Sequence, residues 1–412
     1  MVPEMGKAYP GWRDDGSMAD VVCVGDVHEG ISFGFLMDPE TGVSARALDL
    51  HRNFVAAANW AIAHGAKLFC VLGDLFDRTH VAPVFREMVR RDVIEPLGAA
   101  GIEVWLLAGN HDQPRAFARG TSLDDYRGYR HVKVFREPTT EVREFGGTRV
   151  GFVLLPYMHP EEIVKRMREK LDEEVSREQA YEMSRALWRE WIAEKTAGLD
   201  VDRRIVYGHF WIDGAQPTES GYEVVPDEFT FTRDMFPPSM DLAVFGHIHR
   251  HQTLHDRIVY TGAPERIDWG ERDEAKGFLA LDAANASWEF VELPAREMVR
   301  VMVTIGVEED PTAKILAALP GDPKDKLVRL DVMLPEALRP KVEQRRIDEA
   351  LQGAFHYEVK WLVQRKDFRV VEEFTMDPVR LLRGYVDAHY KEHPRKAAIE
   401  AHGEQLLKEA VA

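Results

Sequence analysis

Short apolar runs that end in glycine and a polar residue recur along the first two thirds of the chain. Quoted with the polar residues that follow them, the five runs are VVCVGDVH, KLFCVLGDLFD, VWLLAGNHD, RIVYGH and LAVFGHIH. Runs of this length that are rich in Val, Leu and Ile are typical of strands buried on both faces. The segment ARALDLHRNFVAAANWAIAHG, between the first two runs, has a helical period and ends at Gly65, which suits a helix C-cap. This alternation of strand and helix predicts an α/β sandwich.

The pattern changes after EFVELP, where five segments predict the order β-α-β-α-β over about 296–366. The predicted strands alternate polar and apolar residues, which is typical of a small sheet with one solvated face. We therefore expect a compact second domain. Earlier in the chain, the charged segment 159–198 is expected to form a structural helical insertion with a solvated face.

The last forty residues predict two helices. The first opens with Asp377 as N-cap and Pro378 in the first helical position. It carries an apolar stripe with i, i+3, i+4 spacing, formed by Val379, Leu381, Leu382, Tyr385 and Val386. Such a stripe either docks on its own domain or binds a partner. The predicted boundaries are a flexible lead over 1–18, a main domain over 19–294, a second domain over 295–370 and a helical tail over 371–412.

Composition favours an ordinary cytoplasmic protein. Of the 412 residues, 45% are hydrophobic and 30% are charged, and no apolar run approaches the roughly 20 residues that span a bilayer. The N-terminus has no apolar segment of the signal-peptide kind. Cys23 and Cys70 both lie in apolar runs, which favours buried structural thiols. The net charge of −17 argues against a simple basic nucleic-acid binder, so a polyanionic substrate would need local positive charge.

The polar residues after the five runs form a candidate metal-ligand set, because strand ends in such a fold converge on one edge. Its members are Asp26, His28, Asp74, Asn110, His209, His247 and His249. Carboxylate and amide oxygen with imidazole nitrogen, and no thiolate, suits Mn²⁺, Fe²⁺ or Zn²⁺. Seven ligands suit two ions that share a bridging carboxylate. Two divalent ions less two aspartates leave a charge of about +2, which favours a hydroxide and a phosphate oxygen.

Each stretch taken alone has an ordinary interpretation. Asp26 and His28 suit a polar loop, GDLFDR suits a β-turn with a capping aspartate, and a lone His209 indicates little. All five stretches in this order, each after a strand, favour the metal site instead. His251 and His255 match no ligand position in the set, and we expect them to be polar surface residues.

The series D-x-H, G-D-x-x-D, G-N-H-D, G-H and G-H-x-H resembles the signature of calcineurin-like metallophosphoesterases. More narrowly, FGHIHRHQ followed by YTGAPERIDWGERDEAKGF resembles the SbcD-type nuclease subunits of the bacterial SbcCD complex. That subfamily has a Gly-Ser-Pro-x-Arg stretch, where this chain has Ala263 in place of Ser, and a Gly-Glu-x-x-x-x-Lys-Gly stretch. The resemblance implies a four-layer α/β/β/α sandwich with a small α+β capping domain and C-terminal helices.

The resemblance also implies roles for the ligands. One ion takes Asp26, His28, Asp74 and His249, and Asp74 bridges to a second ion completed by Asn110, His209 and His247. His111 then remains free to protonate the leaving oxygen as general acid. Asp77 would orient that imidazole; Asp112 is an alternative orienting residue, and Asp77 could instead cap the helix that follows.

The implied activity is that of a Mn²⁺-dependent DNA exonuclease and endonuclease acting on DNA ends or hairpins in repair and recombination, through a two-metal-activated hydroxide. The implied partners are DNA, held in part by the capping domain, and an SbcC-like SMC-family ATPase bound by the tail, with a homodimer inside a heterotetramer. Candidate DNA contacts are Arg78, Arg115 and Arg119, although an arginine-rich loop can simply be solvated.

Other functions remain open from the sequence. The Asp77-Arg78 pair also resembles phosphoprotein phosphatases, in which the arginine grips the phosphate. A phosphomonoesterase or a cyclic-nucleotide phosphodiesterase of the same superfamily is the first alternative. A scaffold subunit that kept the fold and lost the chemistry is the second, although all seven ligands are present.

Overall fold

The computed structural model describes 19–39, 42–114, 120–171, 174–255, 257–364, 378–390, 393 and 395–411. The predicted lead over 1–18 and the residues Arg115, Arg119 and Asp377 lie outside these ranges. The chain divides into two compact units. The first takes in Met1–Arg300, Asp322–Val328 and Gly353–Tyr357, and the second takes in Val301–Gly321, Arg329–Gln352 and Glu358–Ala412.

Fifteen strands and nine α-helices lie within the described ranges. The strands β1 to β15 are, in chain order, Val21–Val24, Leu68–Leu72, Glu103–Leu107, Val132–Phe135, Thr139–Phe145, Thr148–Leu155, Arg203–His209, Leu242–Gly246, Gln252–His255, Ile258–Tyr260, Gly277–Asp282, Ser287–Glu292, Met298–Thr304, Leu327–Pro335 and His356–Gln364. The helices α1 to α9 are Ala45–Ala63, Pro83–Val89, Glu95–Ala99, Pro160–Leu171, Arg177–Gly198, Pro311–Ala318, Gln344–Ala350, Pro378–His389 and Lys396–Val411. A π-helical turn, Arg90–Ile94, joins α2 to α3.

Two six-stranded sheets pack face to face in the first unit. Their strand orders are β12-β11-β1-β2-β3-β4 and β5-β6-β7-β8-β10-β9. Side chains from both sheets, among them Cys23, Trp105 and Tyr207, share one core between them. The first sheet packs its other face against residues of α1 to α3, and the second sheet packs its other face against residues of α4 and α5. The predicted four-layer α/β/β/α sandwich is confirmed.

The continuous apolar runs of the sequence follow from this layering. On β1, Val21 and Cys23 point into the core between the sheets, whereas Val22 and Val24 pack against the helices. Both faces of the strand are therefore buried, as expected for strands inside an α/β sandwich. The strands β1, β2 and β3 pair in parallel, and so do β7 and β8, so each group ends at a common sheet edge.

Most of the three-stranded sheet β13-β14-β15 belongs to the second unit, and α6 and α7 lie between its strands in the chain. The order β-α-β-α-β predicted over about 296–366 is the order found. At the chain end, α8 and α9 pack on each other, with Val386 buried and Leu382 lying over Gly403. Part of the predicted apolar stripe is thus used inside this helical pair. None of the helices in the described ranges is both long and apolar enough to cross a membrane.

A buried histidine on α1 anchors the first ligand loop. His51 Nδ1 lies 2.7 Å from Oε1 of Glu29, which is the residue after His28. His51 Nε2 lies 3.0 Å from Asp92 Oδ2. Burial lowers the pKa of His51, but the two carboxylates outweigh burial and raise it to about 9. The charged imidazole therefore links α1, the π-helical turn and the loop that carries the first ligands.

The raised pKa of His51 gives this link a definite pH dependence. An unfolded histidine has a pKa of about 6.5, so the stabilisation is complete below that pH and is lost as the pH rises through about 9. We expect His51→Gln to lower the free energy of unfolding by about 3 kcal/mol at pH 6 and by clearly less at pH 9.5. Chemical denaturation at the two pH values measures both, with the exposed His402→Gln as control. An equal cost at both pH values would contradict the charged link.

Candidate metal centre

The five ligand loops meet at the strand ends, and the side chains predicted as ligands lie together there. His28 Nε2 is 3.1 Å from His249 Nε2. Asn110 Oδ1 is 3.0 Å from His209 Nε2 and 3.1 Å from His247 Nδ1. The loops come from opposite sheets, because the first three follow β1, β2 and β3 and the others follow β7 and β8. The centre is therefore built across the sandwich.

Two groups drawn from the predicted ligands have their donor atoms close enough to share an ion. In the first group, the ligand atoms of Asp26, His28 and His249 lie within 4.8 Å of one another, and in the second those of Asp26, Asp74 and His209 do so. Asp74 Oδ2 is 3.3 Å from His209 Nε2 and 3.9 Å from His28 Nε2. Both aspartates thus lie between the two groups, whereas the resemblance implied a bridge through Asp74 alone.

These donors suit divalent cations. Two imidazole nitrogens only 3.1 Å apart repel unless a proton or a cation binds one of them. The aspartates and histidines of the set are buried, with no lysine or arginine of the described residues paired to Asp26 or Asp74. Oxygen and imidazole donors without thiolate match the preferences of Mn²⁺, Fe²⁺ and Zn²⁺. The set therefore fits two such ions.

The charges on the ligands stabilise one another in the metal-free protein. Burial raises the pKa of Asp74, but His209, His111 and His28 hold it well below its usual value. Burial lowers the pKa of His209, but Asp74 outweighs it and raises the pKa to about 9. The pKa of His249 is likewise raised to about 9, against burial, by Glu271. Imidazoles must lose these protons to bind a metal, so binding releases protons.

Four of the predicted ligands have a backbone conformation that residues other than glycine rarely adopt. Asp26, His28, Asp74 and His247 have positive φ angles of 53°, 52°, 51° and 91°. They are half of the non-glycine residues with positive φ in the described part of the chain. Such strain costs about 1–3 kcal/mol per residue and concentrates at functional sites. The loops are thus shaped for ligand placement at the expense of local stability.

The glycines before the ligands are required by close approach of neighbouring loops. A Cβ atom on Gly109 would overlap the carboxylate and the backbone nitrogen of Asp74. One on Gly73, whose φ is 93°, would overlap the imidazole of His209. The repeated Gly-ligand pattern in the sequence therefore reflects contact between the loops themselves.

Sequence reasoning missed the residues that hold the ligands in place. Glu271 is fully buried and its Oε1 accepts a hydrogen bond from His249 Nδ1 at 2.9 Å. Lys276 Nζ lies 2.8 Å from Glu271 Oε2 and donates to the carbonyl of His249 at 2.9 Å. Burial opposes ionisation, but Lys276 and His249 hold the pKa of Glu271 at about 2. Both residues belong to the Gly-Glu-x-x-x-x-Lys-Gly stretch, so the motif itself was the available signal.

Two further acidic residues support the loops without being ligands. Glu228 Oε2 lies 3.0 Å from His247 Nε2. Asp112 accepts backbone hydrogen bonds from Gly109, Leu75 and Phe76 at 3.1–3.2 Å, and so ties the loops after β2 and β3 together. Burial and the nearby Asp74 raise the pKa of Asp112 to about 7. No sequence pattern indicated Glu228.

The expected pairing of Asp77 with His111 differs in the structure. His111 Nδ1 donates to the backbone carbonyl of Asp77 at 2.6 Å, and not to its carboxylate. That carboxylate lies 3.7 Å from His28 Nδ1 and accepts a hydrogen bond from Tyr222. The two alternative roles are not seen either. Among the described residues, the Asp112 carboxylate accepts hydrogen bonds only from backbone N–H groups, and the N-cap of α2 is Ala82.

The remaining predicted residues fall in three places. Arg78 has an exposed side chain that donates to Asp77 Oδ2 at 3.1 Å, beside the centre. Arg115 and Arg119 lie outside the described residues. His251 is not a free surface residue, since its ring stacks on Phe290 and its Nδ1 donates to the Tyr260 carbonyl at 2.8 Å. The side chain of His255 lies outside the described part.

Replacement of Gly109 by alanine tests whether loop contact shapes the centre. The added methyl group displaces Asp74, so we expect Gly109→Ala to lose most of its bound divalent metal. Gly128 faces open space and has an ordinary φ, so Gly128→Ala is the matched control. Metal content after dialysis, measured by elemental analysis, reports the result. Retention of the wild-type metal content by Gly109→Ala would show that this close approach does not matter.

Comparison with known proteins gives the family. The family model described as calcineurin-like phosphoesterase matches residues 19–251, more than half of the chain. That match contains the five ligand loops. No curated protein matches the chain.

Several solved structures show distant similarity. A dimetal phosphatase from Danio rerio is 12% identical with a TM-score of 0.31, covering 63% of this chain and 90% of its own. A protein of unknown function from Aquifex aeolicus is 13% identical with a TM-score of 0.24, covering 46% and 79%. Vps29 from Chaetomium thermophilum is 12% identical with a TM-score of 0.19, covering 63% and 76%.

The family match and the geometry of the centre agree. The matched range contains the candidate ligands from Asp26 to His249, and members of this family use two divalent metal ions. The protein belongs to the calcineurin-like phosphoesterase family and is a metallophosphoesterase.

Proposed function

We propose that the protein is a DNA nuclease of the SbcD type, which hydrolyses phosphodiester bonds at DNA ends or hairpins with Mn²⁺ as its metal. The observation that carries this proposal is the placement of Glu271 and Lys276. They come from the stretch that resembles SbcD-type subunits, and they hold the ligand His249. The part of the sequence that is particular to this subfamily is therefore built into the metal centre.

The proposed ligand set would hold the two ions at two places. Asp26, His28 and His249 would hold one, and Asn110, His209 and His247 would hold the other, with Asp74 between them and Asp26 also close to His209. Two divalent ions bound there supply positive charge for a phosphate and lower the pKa of water so that it can attack phosphorus. This local positive charge explains how a protein with a net charge of −17 could bind a polyanionic substrate.

We propose His111 as the residue that transfers a proton. Its backbone N–H donates to Asp74 Oδ1 at 2.8 Å, which fixes the residue beside the ligands. Its Nδ1 is occupied by the hydrogen bond to the Asp77 carbonyl, so Nε2 is the nitrogen available to substrate. A proton on Nε2 is suitably placed to pass to the leaving oxygen, which makes His111 the proposed general acid.

Arg78 is the described residue that we propose as a DNA contact. Its side chain is 62% exposed and adjoins Asp77, whose carbonyl holds His111. A guanidinium at this position can bind a backbone phosphate next to the scissile one. The same role for Arg115 and Arg119 is proposed from the sequence alone.

Substitution of His111 tests the proposed chemistry. With Mn²⁺, we expect wild type to cleave linear and hairpin DNA, and His111→Ala to be slower by about 10²–10⁴-fold while it keeps its metal. Nuclease assays with parallel metal analysis measure both, with the exposed His80→Ala as control. Equal rates for wild type and His111→Ala would remove the acid role. Hydrolysis of p-nitrophenyl phosphate without cleavage of DNA would favour the phosphomonoesterase alternative.

We also propose that the C-terminal helices bind the coiled coil of an SbcC-like ATPase, and that the nuclease works as a homodimer in that assembly. Val386 and Leu382 pack inside the helical pair, whereas Tyr385 and Leu406 are 56% and 53% exposed. Exposed apolar side chains on a helical pair suit a helix-in-groove contact. The second unit is proposed to help hold DNA.

Replacement of the exposed apolar residues by glutamate tests binding of the proposed partner. We expect the double substitution Tyr385→Glu and Leu406→Glu to abolish co-purification with such an ATPase, as deletion of 377–412 should. Neither residue is buried, so the nuclease should keep its unfolding temperature and its metal. His402→Gln, on the exposed surface of α9, is the control. Undiminished co-purification of both variants would refute the proposal.

A further inference from the structure

Each histidine of the Gly-His-x-His pair has one ring nitrogen in contact with a carboxylate. Glu228 Oε2 is 3.0 Å from His247 Nε2, and Glu271 Oε1 is 2.9 Å from His249 Nδ1. The two carboxylates come from different loops, 19 residues before His247 and 22 residues after His249. Each ring therefore has one nitrogen facing the metal centre and one facing an acidic partner.

These contacts fix opposite tautomers on the two rings. His247 carries its proton on Nε2 and presents Nδ1, which lies 3.1 Å from Asn110 Oδ1. His249 carries its proton on Nδ1 and presents Nε2, which lies 3.1 Å from His28 Nε2. The carboxylates thus select which lone pair of each imidazole points at the ions.

The two carboxylates differ in their own surroundings. Glu271 forms an ion pair with the buried Lys276 at 2.8 Å and accepts a hydrogen bond from the Ile267 N–H. Glu228 has no such compensation, because its Oε1 is buried without a hydrogen-bond partner and no cation among the described residues pairs with it. Among the described side chains, the Glu228 carboxylate therefore faces His247 alone.

The other two histidine ligands have no carboxylate within hydrogen-bond distance of the outer ring nitrogen. His209 Nδ1 donates to a neutral acceptor, the Leu72 carbonyl, at 2.8 Å. His28 Nδ1 is buried without a hydrogen-bond partner, and its nearest carboxylate oxygen, on Asp77, is 3.7 Å away. Within the group of Asn110, His209 and His247, His247 is therefore the ring whose outer nitrogen contacts a carboxylate, that of Glu228.

We propose that Glu228 is a positioning residue that sets the affinity of the second cation site, formed by Asn110, His209 and His247. Its hydrogen bond holds the His247 proton on Nε2 and makes Nδ1 a stronger donor to a cation. Loss of such an outer partner commonly costs 10–100-fold in metal affinity. Because Glu228 contacts no ligand of the first site, the cost should fall on one ion alone.

Titration of the metal-free, full-length protein with Mn²⁺ tests this without any substrate. Electron paramagnetic resonance distinguishes a single Mn²⁺ from a spin-coupled pair, and calorimetry gives the affinity of each site. We expect wild type to form the pair. Glu228→Gln, which keeps an acceptor but removes the charge, should bind one ion normally and the second about 10-fold or more weakly. Excess Mn²⁺ should restore the pair signal.

Two controls separate this role from a general structural one. Asp227→Asn removes an adjacent exposed carboxylate, which pairs with Arg177, and should leave both ions bound as in wild type. Glu228→Ala, which also removes the acceptor, should weaken the second ion further and leave the first unchanged. The unfolding temperatures of the metal-free variants should match that of wild type.

The proposal would be overturned by either of two results. One is Glu228→Gln binding both ions with wild-type affinity. The other is equal weakening of both ions, which would make Glu228 a general support of the fold. Neither result depends on whether DNA is the substrate, so failure here is distinguishable from failure of the proposed nuclease activity.

Discussion

The carboxylate and backbone of Asp74 form the contact on which the metal centre depends. Its Oδ1 accepts the His111 N–H at 2.8 Å, and its carbonyl accepts the His28 N–H at 3.0 Å. Its Oδ2 lies 3.3 Å from His209 Nε2. One buried residue thus connects loops that follow β1, β2, β3 and β7. Positions of the other ligands follow from the close packing of these loops around it.

This arrangement concentrates charge that the buried centre must balance. Without metal, protons on His209 and His249, each with a pKa of about 9, offset the acidic ligands. Divalent ions can replace those protons, so metal affinity should increase as the pH rises towards 9. The same ions would give an acidic protein a local positive site for phosphate. Metal binding, proton release and substrate affinity are therefore linked through one set of side chains.

The fold, and the meeting of the candidate ligands at one edge of the sandwich, could be predicted from the sequence because both follow from local patterns. Buried strands appear as apolar runs, and Gly109 precedes a ligand because the neighbouring loop carrying Asp74 leaves no room for a Cβ atom. The support of the ligands could not be read in this way. Glu228 contacts His247 because of the conformation of the long segment between β7 and β8, and no spacing rule predicts that conformation. The contact between Asp77 and His111 could not be predicted in this way either, because it runs through the Asp77 carbonyl and not through its carboxylate.

Anomalous diffraction from crystals grown with Mn²⁺ tests the central claim, a two-ion centre built from the five loops, most directly. The structure predicts two anomalous peaks. One should lie among Asp26, His28 and His249, and the other among Asn110, His209 and His247, with Asp74 between them. A single peak at saturating Mn²⁺, or peaks away from these side chains, would contradict the two-ion centre.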